Sequence, residues 1–486
     1  MDVATKFDKM EESMTNENCS KLDQFGYCNV DSVLMKNFRC FESLKVKFNT
    51  HGRTIREQDN DCSVGPLTVI VAKNGMGKST VLDAVKIVFG TFTAAFDYPS
   101  CVHIDKSDIR IMTDGDSNQS TLALPVEIEA DVKLAQHAYC VSRVLLRENG
   151  RTTTSGVKAI AEFGSRLKEQ TKTDNTTVLP LIAFYGTSRL WKDHKNTDTD
   201  KPLLRSRDFG YDYCLSDDSN YKAVCQWTKD ALLAELTENQ LQLQKNNVLH
   251  QQLQAMRNAL SGLLEQEGFS NFLHYNSYFK ELAVTQKNEI LEMTAMTSLP
   301  ISVLSDGVRA IFAMVVDIAF RCAKLNPALG ENACLQTPGI ILIDEIDQHL
   351  HPAWQQKVID TLQSAFPKMQ FIVTTHSPQV VSAIPKECVR ILNNGQVFEA
   401  TIQTDGVESQ DVLTQIFGTD AAPRQNNFVK MLDTYASMVA GGKADSEVGR
   451  AVYQKLVAHF GAQYAPLQRI EIQRKFFSSR RGKINA

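Results

Sequence analysis

A surplus of one charge is the first thing this 486-residue chain lacks. Its 52 Lys and Arg stand against 56 Asp and Glu, a net charge of −4. That excludes a histone-like protein held to its partner by bulk charge, and leaves local basic patches open. Long apolar runs are missing as well. None reaches the ~18–20 residues that cross a bilayer. The polar, acidic start, Met1 to Asp23, has no apolar stretch of the secretory kind, so we expect a cytoplasmic chain without a membrane partner. The 11 cysteines are odd in number and none forms C-x-x-C. Neither a disulfide framework nor a zinc centre is expected, and the usage fits a reducing compartment. No repeat of 20–50 residues is visible.

What is present is ordinary globular material, 43% hydrophobic and 22% charged, enough for two to four folding units of ~100–200 residues. We divide it into a polar lead (1–30), a first α/β part with an antiparallel lobe (31–191), a helical insertion (192–300), a second α/β part (301–395) and a helical C-terminal region with a basic tail (396–486). Leu67-Thr68-Val69-Ile70-Val71 reads as a strand buried on both faces. Short β-like runs between 100 and 180, such as Val126 to Ala130 and Tyr139 to Leu146, read as the antiparallel lobe. Leucines spaced by three to seven residues across 224–264 predict a packed amphipathic helix. Sustained heptads for a coiled-coil arm are absent.

Four short segments carry chemistry. The first is Ala72-Lys73-Asn74-Gly75-Met76-Gly77-Lys78-Ser79-Thr80, which departs from G-x-x-x-x-G-K-[ST] only by one methyl at Ala72. Gly75 and Gly77 let backbone N–H groups wrap phosphate oxygens. Lys78 charges the β/γ-phosphates, Ser79 ligates Mg²⁺, and the following helix offers its N-terminus to the anion. The second is Ile340-Ile341-Leu342-Ile343-Asp344-Glu345, where a buried strand delivers two carboxylates at its C-terminal end. Asp344 there suits Mg²⁺, and Glu345 suits an attacking water. The third, Leu304-Ser305-Asp306-Gly307-Val308-Arg309, opens a helix. Ser305 and Gly307 read either as an anion cradle or as a plain N-cap. The fourth, Thr374-Thr375-His376-Ser377-Pro378, follows a strand, with His376 either a phosphate sensor or a surface residue.

Their order resembles the ABC-type ATPase head, and more narrowly its SMC/RecF/OLD-like branch. Asn37-Phe38-Arg39-Cys40-Phe41, the segment 74–80 and Asp344 to Pro352 carry that likeness. Phe184 to Trp191 and Leu304 to Pro327 are similar to the PtuA-type ATPases of Septu and of retrons with the same gene pair. The resemblance spans about residues 30–395. It implies an α/β ABC-type head, a P-loop core sheet plus antiparallel β lobe, with a helical insertion and a helical C-terminal region. It also implies ATP and Mg²⁺ as ligands and a homodimer or higher homo-oligomer that sandwiches the nucleotide. In that arrangement Asn74 to Thr80 hold ATP, Ser79 and Asp344 hold the metal, and Ser305, Asp306 and Gly307 act in trans. Glu345 is the base, His376 the switch histidine, and Arg39 lies near the phosphates in cis.

The heads of this class carry a Gln where the lobe joins the core. The matching segment here, Tyr185 to Arg189, has none, and Gln119 is a distant candidate. His349 and His351 lack further ligands for zinc and read as a loop facing the dimer partner. OLD-type relatives append a nuclease with a D-x-D pair. None follows His376, and Asp198-Thr199-Asp200 reads as solvated loop. The resemblance therefore implies a separate HNH nuclease partner, and in a retron setting a reverse transcriptase and its DNA. The alternative is a RecF/SMC-like DNA-repair or DNA-clamping ATPase without a nuclease. The tail, with Arg469, Arg474, Lys475, Arg480, Arg481 and Lys483 around Phe476 and Phe477, reads either as a track for nucleic acid or as a solvated end.

Overall fold

A computed structural model describes residues 28–57, 60–98, 102–113, 120–153, 155–187, 206–216, 221–240, 247–266, 269–276, 278–279, 281–287, 296–418 and 426–484. Gln119, Asp198 to Asp200 and Ser188 to Trp191 lie outside them. The chain divides into two compact units, residues 1–409 and 410–486.

The first strands precede the P-loop: β1 (Asn29–Phe38), β2 (Phe41–Lys47), β3 (Arg53–Glu57), β4 (Asn60–Val64) and β5 (Leu67–Val71). Two short ones follow, β6 (Ile111–Thr113) and β7 (Ser120–Leu122), then β8 (Val126–Leu134), β9 (His137–Leu145) and β10 (Leu181–Tyr185). Next come β11 (Phe269–Asn276), β12 (Glu281–Lys287) and β13 (Met296–Pro300). The last are β14 (Gly339–Ile343), β15 (Met369–Thr375), β16 (Val389–Asn393) and β17 (Gln396–Glu399).

The core of unit one is a six-stranded sheet in the order β10-β14-β15-β5-β16-β17. It is parallel except for β17, which returns antiparallel on β16. Its inner strands are uninterrupted apolar runs because both faces are covered. Every residue of β5, β10, β14 and β15 is buried. The antiparallel lobe has the order β2-β1-β8-β9. Two of its four strands come from before the P-loop, not from the 100–180 segment that sequence alone suggested. The runs read there as strands are β8 and β9 of the lobe, and a later part of that segment is helix α2 (Lys158–Thr173, where α1 is Lys78–Thr93). Helix α2 buries Ile160, Phe163 and Leu167 at three-to-four-residue spacing.

Helix α1 is buried on nearly all sides. It packs on β1, β8 and β9 of the lobe and on β15 of the core. The Gln370 side chain joins the same two layers. It accepts the Val30 N–H at 2.7 Å and donates to the carbonyls of Val30 and Asn49 at 3.1 and 3.2 Å.

The segment expected to be a helical insertion holds α3 (Tyr221–Gln240) and α4 (Asn247–Gln266), and then the antiparallel sheet β11-β12-β13. That sheet escapes a periodicity reading because Asn271 and Asn276 break its alternation. Helices α5 (Asp306–Leu325) and α6 (Val358–Ala365) complete unit one. Unit two is helical: α7 (Asn427–Ala440), α8 (Glu447–Phe460) and α9 (Ala465–Ile484) close on Tyr435, Val439, Leu456 and Leu467. Strand β17 falls ahead of this unit, so the region taken as helical from residue 396 begins with sheet. Among the described residues no helix is long and apolar enough to cross a membrane.

Candidate nucleotide site

Adjacent parallel strands β14, β15 and β5 bring their C-terminal ends to one edge of the core sheet, where open α/β sheets bind ligands. Three of the four sequence segments meet there. After β5 the chain turns through Gly75 at φ 76° and Gly77 at φ 89°, both in the left-handed region, into α1. Gly77 is required twice over, because a Cβ there would sit 2.7 Å from Cys40 Sγ and 2.9 Å from Phe41 Cε2. Ala72 is not among the residues with positive φ, so its methyl is accommodated. Asn74 and Gly75 are exposed at the tip, and the Met76 N–H closes the turn on the Lys73 carbonyl at 3.3 Å. Thr80, one residue past Ser79, is buried.

Lys78 is buried, and its Nζ lies 3.5 Å from the Ala72 carbonyl and in hydrogen-bond contact with His376 Nε2. Burial pulls the Lys78 amine below its usual range, against the pull of Asp344, Glu345 and Asp347. His376 is lowered as well, first by burial and then by Lys78. The imidazole is therefore the neutral acceptor and the lysine the donor.

Ser79 Oγ donates to Asp344 Oδ2 at 2.7 Å, so the hydroxyl and carboxylate proposed for Mg²⁺ already converge. The other carboxylate oxygen of Asp344 accepts from Thr374 Oγ1 at 2.5 Å. Thr374 Oγ1 also accepts the Glu345 N–H at 2.8 Å. Glu345 itself sits at φ 47°. Asp347 Oδ1 accepts from Thr375 Oγ1 at 2.5 Å and from the His376 N–H at 3.3 Å. These two threonines and Asp347 were not assigned a role from sequence, although they lie inside segments singled out there.

Arg39 is held by two carboxylates. Its Nη1 binds Asp83 on α1 at 2.6 Å and its Nε binds Asp108 at 2.8 Å. Its neighbours Cys40 and Phe41, not its guanidinium, are what touch the P-loop turn.

Ser305, Asp306 and Gly307 are not brought to this site. Ser305 holds the N-cap position of α5 but its hydroxyl makes no cap bond, so the plain N-cap reading does not account for it. Gly307 packs so closely on the His349 carbonyl that a Cβ would overlap it. Ser305, Gly307, Val308, His349, His351 and Trp354 are among the residues that line a separate cavity of about 630 Å³. No P-loop or Asp344–Glu345 residue lines it. Among the described residues no group of three or more His, Cys, Asp or Glu gathers to hold a metal. In the tail, α9 is a packed helix, and Arg474 is committed to Asp445 at 2.5 Å and Glu471 at 3.0 Å.

The residues present fit a Mg²⁺–triphosphate. Gly75 and Gly77 give the turn the left-handed backbone that a phosphate cradle needs, Ser79 and Asp344 meet at 2.7 Å, and Lys78 lies within the field of Asp344, Glu345 and Asp347. The chain is 27% identical over 520 residues to the Retron Ec83 probable ATPase of Escherichia coli, covering 96% of this chain and 90% of that one. Over a shorter stretch, 144 residues, it is 34% identical to the Septu protein PtuA of Bacillus mycoides, covering 29% of this chain and 20% of that one. Among solved structures, the SmcHead bound to the C-winged helix domain of ScpA aligns with a TM-score of 0.44 at 17% identity, over 77% of this chain and 98% of that one. A profile described as AAA domain, putative AbiEii toxin, Type IV TA system, matches residues 201–382, and a second described as AAA domain matches residues 32–290. With more than half of its length inside that second match, the chain belongs to the AAA-domain family and is homologous to the retron and Septu ATPases.

Proposed function

We propose that this chain is a cytoplasmic ATPase of bacterial anti-phage defence that hydrolyses ATP in composite sites between two copies and controls a partner nuclease of the HNH type. One observation carries the composite site. The P-loop, Asp344, Glu345 and His376 meet at one sheet edge, while Ser305 to Gly307 open a different cavity of the same chain. An anion cradle that its own nucleotide site does not use suits the nucleotide of another copy.

In this reading the backbone of 74–78 grips the β- and γ-phosphates, and Lys78 leaves His376 for the γ-phosphate. Ser79 and Asp344 hold Mg²⁺, which supplies charge neutralisation on the phosphates. Glu345 orients the attacking water. A general base of this kind is worth about 10²–10⁴ in rate. His376 reports whether the γ-phosphate is present. The defence role rests on homology to the retron and Septu proteins, and the nuclease partner on the PtuA-type resemblance of the sequence alone. A retron setting would add a reverse transcriptase and its DNA.

The test is purification of the chain with its bound proteins, with and without ATP, for wild type and Glu345→Gln. The expected result is a variant that binds ATP, turns over at least about 100-fold more slowly, accumulates as a dimer or higher oligomer, and retains an HNH protein. A variant with wild-type turnover rejects the base, and retention of duplex DNA alone favours a DNA-clamping ATPase.

A further inference from the structure

A buried polar cluster that no step above uses locks α5 to the catalytic strand. Tyr185 ends β10 beside Ile343, the last residue of β14. Its carbonyl accepts the Asp344 N–H at 2.8 Å. Its hydroxyl donates to Asp317 Oδ2 on α5 at 2.7 Å. Arg321, one turn on, donates Nε to the same oxygen at 2.8 Å and Nη1 to the carbonyls of Gly210 and Asp212 at 2.8 and 2.9 Å. None of the three side chains is more than 3% exposed.

Stability does not explain the cluster. Apolar residues of like volume replace buried ion pairs at little or no loss. Asp317 Oδ1 is moreover buried without a hydrogen-bond partner, which is unfavourable. What directed bonds provide is a fixed rotation and axial position for α5, where apolar contacts tolerate sliding. The other end of α5 is fixed too, by Gly307 against the His349 carbonyl, five residues beyond Asp344 in the same loop. Helix α5 is thus tied at two points, about 15 Å apart along its axis, to the segment that carries Asp344 and Glu345. A shift of those carboxylates displaces both ties together, and the helix passes it to Ser305 at the cavity.

We propose that Asp317 is a positioning residue: with Tyr185 and Arg321 it couples occupancy of the nucleotide site to the placement of the Ser305–Gly307 end of α5 that meets a second copy. This rests on the composite-site reading above.

The experiment compares full-length wild type, Tyr185→Phe, Asp317→Asn and Ser305→Arg. It reads binding of a fluorescent ATP analogue, KM and kcat of ATP hydrolysis, ATP-driven self-association in the ultracentrifuge, and melting temperature. Tyr185→Phe keeps the ring and removes one hydroxyl. It should bind nucleotide within about twofold of wild type and melt no more than about 4 °C lower. Its kcat and ATP-driven self-association should fall about 10-fold, with KM unchanged. Asp317→Asn should do the same more strongly, and if it does not fold, Tyr185→Phe decides alone. Wild-type kcat and self-association in Tyr185→Phe overturn the proposal. So does a parallel loss of binding, turnover and melting temperature, which marks a merely structural role. If wild type fails to self-associate with ATP and Ser305→Arg hydrolyses normally, the composite site itself is wrong, and the coupling falls with it.

Discussion

Lys78 Nζ and His376 Nε2, 298 positions apart in the chain, are in hydrogen-bond contact. The P-loop lysine is held by the residue proposed to sense a phosphate. Burial and the Lys78 charge keep His376 below its usual range, so at neutral pH it is uncharged. A bound triphosphate reverses the local field and favours the imidazolium. The complex then holds the proton more tightly than the free chain does. By linkage ATP binding takes up a proton, and affinity rises as pH falls from about 8 towards 6. Titrations of ATP at several pH values should show this slope in wild type and a shallower one in His376→Gln. Equal slopes would assign the effect to the nucleotide's own phosphate.

Thr374 is fully buried and serves both carboxylate residues. It donates to Asp344 Oδ1 and accepts the Glu345 N–H. Thr374→Val keeps the shape and removes both buried hydrogen bonds, which should cost about 1–3 kcal/mol of stability. Turnover should drop at least tenfold with nucleotide affinity kept, since the P-loop is untouched. Denaturant midpoints and steady-state rates check this. An unchanged kcat would show that the threonine does not orient the base.

The two P-loop glycines should behave unequally. At Gly75 a Cβ meets nothing within 4 Å, so Gly75→Ala bears only the left-handed backbone, about 1–2 kcal/mol. At Gly77 the Cβ also runs into Cys40 and Phe41. Gly77→Ala should lower the melting temperature further and abolish ATP binding, while Gly75→Ala weakens it. Calorimetry of the two variants with and without ATP decides, and equal effects would deny the close approach of Cys40.

Gly307→Ala places a methyl in the His349 carbonyl and displaces the start of α5. Nucleotide binding within one chain should survive, because no P-loop residue moves. ATP-driven self-association should be lost. Light scattering with a non-hydrolysable analogue reads it directly, and a variant that assembles normally would remove Ser305 to Gly307 from the interface.

Much of the site was legible because its chemistry is local. A buried strand, two glycines with positive φ, a lysine and a hydroxyl at a helix start are consecutive residues, and their order declares a phosphate cradle. The lobe was legible only in part. Strands β1 and β2 precede the P-loop, yet β1 pairs with β8 far along the chain, a register that no local pattern reveals. The sheet β11-β12-β13 was read as helix because weak alternation beside two real helices carries no strand signal.

The sequence by itself nominated the residues proposed for phosphate, metal and water, since each role needs a particular functional group at a particular step along the backbone. Only the tertiary structure decided the strand order β14-β15-β5, which sets Lys78 on His376 and Ser79 on Asp344. It also decided that Arg39 turns to Asp83 and Asp108, that Ser305 opens a second cavity, and that Tyr185 reaches Asp317. The reason is physical. Parallel strands buried on both faces are alike as sequences, and their neighbours are chosen by how the whole sheet packs against its helices.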